Sequence, residues 1–94
     1  MDGLEDRLKE ALRRVNEHVQ SPELEQVTPD LDIFDAVDSM AIVDLLLETE
    51  AMLEEQSGAY VPLADETIFD ASKSPLKRWS DWVAFVERRR ADAD

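Results

Sequence analysis

No cysteine occurs among the 94 residues. Disulfide scaffolds, thiolate zinc sites and thiol nucleophiles are therefore excluded, and a reducing compartment suits the chain. The single histidine, His18, rules out a multi-histidine metal site. Long apolar runs are missing too: nothing approaches the roughly 20 residues of a membrane span. The opening MDGLEDRLKE has no apolar signal region. These absences lead us to expect a soluble, cytoplasmic chain with no membrane insertion. At 10.7 kDa it has room for one domain and one core, burying roughly two thirds of the surface that the unfolded chain exposes.

Positive charge is missing from the whole middle of the chain. The formal net charge is −13, and every lysine and arginine lies either at or before Arg14 or at or after Lys73. From Val15 to Ser72 there are fifteen acidic residues and no compensating lysine or arginine. Such segregated charge repels itself, and it suits a basic protein surface as partner. It opposes nucleic acid, whose phosphates require a basic footprint. The plainer reading is that acidity maintains solubility.

Apolar periodicity predicts a first helix over residues 3–19, with Leu4, Leu8, Leu12, Val15 and Val19 as one stripe. Asp2 and Glu5 have capping-box spacing, Glu5–Lys9 and Glu10–Arg14 are i,i+4 pairs, and His18 sits near the helix C-terminus. Ser21-Pro22 ends this helix and Thr28-Pro29 interrupts the next stretch, so residues 20–38 read as a long loop. Leu24, Val27, Leu31, Ile33, Phe34 and Val37 are numerous enough to pin that loop onto a helical core. Its aspartates do not form a calcium loop: an EF-hand starting at Asp30 would need glycine and glutamate where Asp35 and Ala41 stand.

The second main helix is predicted from Ser39 to Gln56, with Gly58 as its stop. Ile42, Leu45, Leu46, Thr49, Met52 and Leu53 form a core face. Met40, Val43 and Leu47 lie on another side, among Asp44, Glu48, Glu50 and Glu54. Either the preceding loop covers Met40 and Val43, or the strip is a docking surface for a hydrophobic and basic partner. Beyond Gly58, Tyr60, Val61 and Leu63 continue the core, and residues 64–69 suggest a short third helix with Ile68 and Phe69 inward. Ser74-Pro75 then caps a last helix whose stripe is Leu76, Trp79, Val83 and Val86, with Trp82 and Phe85 alongside. The tryptophans read as core, with an acyl niche or a partner contact as the alternative. Arg88, Arg89 and Arg90 suit the C-terminal end of the helix dipole.

Asp38-Ser39 has two readings. It is either an ordinary N-cap and first-turn pair, or Ser39 is a modification acceptor at the positive end of the helix dipole, where free N–H groups favour an anion. No neighbouring histidine, lysine or glycine elbow activates Ser39 as a nucleophile, and the chain has no recognisable catalytic constellation. We therefore expect that it is not an enzyme.

Phe34-Asp35-Ala36-Val37-Asp38-Ser39-Met40 and the acidic helix behind it resemble the attachment region of acyl carrier proteins and related peptidyl carrier domains. The likeness extends over most of the chain. It implies an all-α, four-helix, acyl-carrier-like bundle of three main helices and one short one, with a long loop between helices one and two. It also implies a single carrier domain over residues 1–90, with 91–94 a frayed tail. By the same resemblance Ser39 carries 4'-phosphopantetheine, delivered from coenzyme A by a separate phosphopantetheinyl transferase that Asp38 helps to engage. Acyl or aminoacyl groups would ride on the arm's thiol, in fatty acid or secondary metabolite biosynthesis. Met40, Val43, Asp44, Leu47 and Glu48 would then meet acyl-activating or acyl-transferring enzymes, with the carrier a monomer. Ala36 stands where the family often has glycine, which leaves the loop geometry there open. From a different class, the alternative is an acidic helical adaptor that binds a basic protein and bears no prosthetic group.

Overall fold

The computed structural model describes residues 3–93; Asp2, with its part of the expected capping box, and Asp94 lie outside the described residues. Four α-helices form the molecule: α1 (Leu4–Val19), the single-turn α2 (Ile33–Ala36), α3 (Ser39–Ser57) and α4 (Trp79–Ala93), with no strand among the described residues. Short 3-10 turns at Pro22–Glu25, Glu66–Phe69 and Pro75–Lys77 punctuate the connections.

Helix α1 buries Leu4, Leu8, Ala11, Leu12 and Val15 and leaves its charged side in water. It ends where Gln20 takes a left-handed conformation (φ 58°) and donates its N–H to the Asn16 carbonyl at 2.7 Å. Asn16 then holds the turn by accepting from the Ser21 N–H (2.7 Å) and donating to the Ser21 carbonyl (3.1 Å). Pro22 comes next, at the start of a 3-10 turn, so the chain leaves α1 by a defined corner.

The segment between α1 and α3 is ordered, and its apolar residues pin it as expected. Leu24 and Ile33 are buried, while Val27, Leu31, Phe34 and Val37 pack half-buried against the core. It is not wholly irregular: Asp32 caps α2 by accepting from the Asp35 N–H at 3.0 Å, a local bond that apolar periodicity does not reveal. The bundle's short helix thus precedes α3. No positive φ occurs at Ala36, which is helical, so alanine there meets no conformational conflict.

Helix α3 packs on α1 and buries Ala41, Ile42, Leu45, Leu46, Thr49 and Leu53. Its C-terminal stop is Gly58, left-handed at φ 76°, with its N–H on the Glu54 carbonyl. Glu50, expected on the wet side, is instead 8 % exposed: its carboxylate accepts from the Leu63 backbone N–H at 2.7 Å and the Tyr60 hydroxyl at 3.3 Å. The negative charge raises the Tyr60 pKa above its ordinary value. This contact draws residues 60–63 back over α3, and Val61 and Leu63 are buried there.

The expected helix over residues 64–69 contracts to one 3-10 turn started by Asp65, which accepts from the Thr67 N–H and hydroxyl. With so short an element only Ile68 turns inward, and Phe69 is exposed, contrary to expectation. Ser74 caps the 3-10 turn at Pro75–Lys77, and α4 begins later, at Trp79. Trp79, Trp82 and Val86 are fully buried and Phe85 is buried, as expected, whereas Val83, placed in the expected stripe, is half-buried. Trp82 stacks on Phe85 (5.9 Å between centroids), and the Arg89 guanidinium lies 5.1 Å from the centroid of the Phe85 ring. Trp79 donates from Nε1 to Glu5 at 2.9 Å, tying α4 to α1 and taking Glu5 away from the expected Lys9 pair. Helical backbone continues through Ala93, so most of the expected frayed tail belongs to α4.

Replacing Glu50 by alanine strands a buried N–H at Leu63. We expect Glu50→Ala to lower unfolding free energy by about 1–3 kcal/mol, against a change within about 0.5 kcal/mol for exposed Glu54→Ala. Urea unfolding of the two variants tests this, and equal losses would reject the structural role of Glu50.

Candidate functional site

The front of α3 presents Asp38, Ser39 and Met40, all exposed. Asp38 is the N-cap: its Oδ1 accepts from the Ala41 N–H at 2.9 Å, and its carbonyl receives the Ile42 N–H at 3.1 Å. Ser39 is the first helical residue. Its hydroxyl and the Ser39 and Met40 amides make no hydrogen bond among the described residues. Exposed hydroxyl and unbonded amides together form the anion-tolerant end of a long helix. A phosphodiester on the Ser39 oxygen fits there without displacing any bond. No side chain contacts the hydroxyl as a base, so nothing in the described residues activates it as a nucleophile.

Down the same helix, Met40 is 70 % exposed, Val43 38 % and Leu47 58 %. The preceding loop therefore does not cover Met40 or Val43. The reason is geometric: the loop's apolar residues turn onto the core, and α3 already packs there through its opposite side. Asp44 is exposed beside this strip and Glu48 half-buried, with the Arg14 guanidinium 3.7 Å from the Glu48 carboxylate. Six expected site residues thus share the outer side and N-terminal end of α3 with Ser39. Glu50 leaves the rim and faces inward.

Helix α1 extends this surface in a way that sequence spacing did not reveal. A cleft of about 410 Å³ lies between the last turns of α1 and the middle of α3, lined by Arg14, Val15, Glu17, His18, Asp44, Leu47 and Glu48. On α1, Arg14 reads as the wet partner of Glu10, and that pair does exist at 3.6 Å. Only the packing angle of the two helices brings it to Glu48. A second cleft of about 490 Å³ opens along the same seam, between Arg7 and Gln56. Among the described residues no group of histidine, cysteine, aspartate or glutamate converges to hold a metal, and no helix is long and apolar enough to cross a membrane.

Compared with protein-family models, curated proteins and solved structures, the chain matches none. What the site can do rests on its own geometry.

An exposed leucine on a helix with a complete core face should be dispensable for folding. We expect Leu47→Glu to change stability by no more than about 0.5 kcal/mol, whereas Leu45→Ala, at a position 1 % exposed, should cost about 2–5 kcal/mol. Denaturant titration monitored by circular dichroism distinguishes them; a large loss for Leu47→Glu would place that side chain in the core.

Proposed function

We propose that the chain is a carrier protein: Ser39 accepts 4'-phosphopantetheine, and the outer side of α3 docks the enzymes that load and unload it. The observation that carries this reading is the coincidence of two features on one helix. An exposed hydroxyl without a hydrogen bond stands at its positive end, and an exposed apolar strip edged by carboxylates runs directly from it.

When attached, the arm supplies a terminal thiol that holds an acyl group as a thioester. The chain's own residues do the rest. The Ser39 Oγ anchors the phosphodiester, and the Ser39 and Met40 amides favour its charge. Asp38 fixes the first turn of α3, so that the anchor stands on rigid backbone. Met40, Val43 and Leu47 provide a small dry contact for a partner. Asp44 and Glu48 accelerate encounter with basic surfaces and favour release of the wrong ones.

The Asp38 cap also supports the alternative, an acidic helical adaptor without a prosthetic group, in which Asp38-Ser39 merely begins a helix. Incubation with coenzyme A, magnesium and a promiscuous phosphopantetheinyl transferase, and then intact-mass measurement, separates the two. The carrier gains the mass of one arm and Ser39→Ala gains nothing while remaining folded. A wild-type chain that stays at its original mass, or an alanine variant that still shifts, would remove Ser39 as the anchor.

A further inference from the structure

A third cleft, of about 390 Å³, opens where the turn at Asp65 and Thr67 and the connection at Lys73 and Pro75 meet the last turns of α4. In the two clefts along the seam of α1 and α3, carboxylates outnumber guanidinium groups. Here the balance reverses: Lys73, Arg88 and Arg89 stand against Asp65 and Asp92. These charges are not equally engaged. Asp65 accepts from the Thr67 N–H and hydroxyl and pairs with Arg89, whose guanidinium also lies over the Phe85 ring. Lys73 and Arg88 are exposed and make no ion pair among the described residues. Asp70 senses Lys73, but its carboxyl is held below its ordinary range first by the Ser72 hydroxyl and N–H. Asp92 stands one helical turn beyond Arg88. Pro75 and the ring of Phe85 supply an apolar wall, and that ring stacks on the buried Trp82, whose Nε1 has no hydrogen-bond partner among the described residues.

We propose that this cleft binds a small carboxylic acid with an apolar body: Arg88 and Lys73 take the carboxylate, and the body lies against Phe85 and Pro75. With Arg89 held by Asp65, two unpaired cations remain against one carboxylate, Asp92. That balance suits a single added negative charge, whereas a phosphate monoester brings about 1.5 to 2. The planar guanidinium of Arg88 donates two parallel N–H bonds to a carboxylate, a geometry that an ammonium does not offer. The volume falls within the about 300–1,000 Å³ of small-molecule sites. Scale decides against a macromolecule. Charges farther apart than about 8 Å are largely screened at physiological salt, so a compact ligand senses chiefly the cleft. A nucleic acid or an acidic protein laid across it would also meet the carboxylates of a chain whose net charge is −13. Because three segments build the cleft, a bound ligand fastens the connection before α4 to that helix and stabilises the fold by mass action. None of these residues belongs to the outer side of α3, so the site stands whether or not Ser39 is modified.

The test uses the intact, isotope-labelled chain titrated with phenylacetate at neutral pH and followed by amide and indole chemical shifts. Shifts should concentrate at Thr67, Lys73, Phe85 and Arg88. The Trp82 indole N–H, next to Phe85 in the stack, should move more than that of Trp79, which is bonded to Glu5. Arg88→Gln and Lys73→Gln should each weaken binding by roughly three- to tenfold, and Asp92→Asn should strengthen it by about two- to fivefold. Lys9→Gln makes the same charge change on α1, outside the cleft, and should have little effect. All four positions are exposed, so the variants should keep the wild-type circular dichroism. Phenylethanol, which keeps the ring without the charge, and inorganic phosphate, which has charge without the body, should each bind about tenfold more weakly. No saturable shifts at the cleft, equal binding of phenylethanol or phosphate, or equal losses from Arg88→Gln and Lys9→Gln would each overturn the proposal. Ser39→Ala should bind phenylacetate like the wild type, so this site and the anchor at Ser39 fail separately.

Discussion

The burial of Ile42, Leu45, Leu46, Thr49 and Leu53 fixes the rotation of α3 about its own axis, and every other property of the outer surface derives from that. Successive residues of a helix are about 100° apart, at 3.6 per turn, so a helix that turns these side chains into the core must turn Met40, Val43 and Leu47 toward water. A rotation by one residue would bury Val43 and Leu47 but expel core side chains, at about 2–5 kcal/mol for each large one lost from the core. The ends are equally constrained. Asp38 captures the Ala41 amide at the front, and Gly58, in the left-handed region, closes the back. Ser39 is exposed because it stands between a cap and a fixed helix face.

The concentration of acid is tolerated because, apart from the hydrogen-bonded Glu50, it lies outside that core. Among the described residues, the ion pairs that join distant parts of the chain include Arg14–Glu48, Arg78–Asp30 and Arg89–Asp65. Exposed pairs of this kind contribute about 0–1 kcal/mol each, too little to offset fifteen carboxylates in the central segment. Cohesion comes instead from the apolar cluster, with Trp79 and Trp82 its largest fully buried side chains. The basic residues cluster on α1 and from Lys73 onward, which leaves the outer side of α3 strongly negative except where Arg14 reaches it.

The two long helices at the front of the chain were legible from apolar spacing and end signals, and α3 differs from the expected range by a single residue. That clarity comes from repetition: five or six apolar residues at one period outvote any local ambiguity. The same signal fails where one bond decides. The α2 turn depends on the Asp32 side chain, and the 3-10 turn near Phe69 depends on Asp65. In α4 the expected core tryptophans and Val86 are buried, and only Val83 falls to the half-buried edge of the stripe. Glu50 is the sharpest case. It lies among acidic neighbours on a helix and reads as solvated, yet its partner is a backbone amide at Leu63 that no side-chain pattern encodes. For the site, the exposed strip came from helical projection, and Ser39 from the helix-start pattern and the resemblance of residues 34–40. Arg14, Val15, Glu17 and His18 did not, because a projection of α3 contains no information about which side of α1 meets it.

The small size of the exposed strip limits the kind of recognition the surface supports. Three partly exposed apolar residues form too small a patch for a tight interface, at roughly 25 cal/mol per Å² of apolar surface removed from water. The patch is, however, already held on a rigid helix, so a partner that binds it incurs little ordering cost from this side. On the proposed docking reading, long-range attraction to the acid would raise the rate of encounter, while the shallow contact would leave dissociation fast. On the proposed carrier reading, rapid arrival and ready departure are the combination that passing cargo among several proteins requires, and both would derive from one helix whose buried core face leaves its other side no freedom to hide.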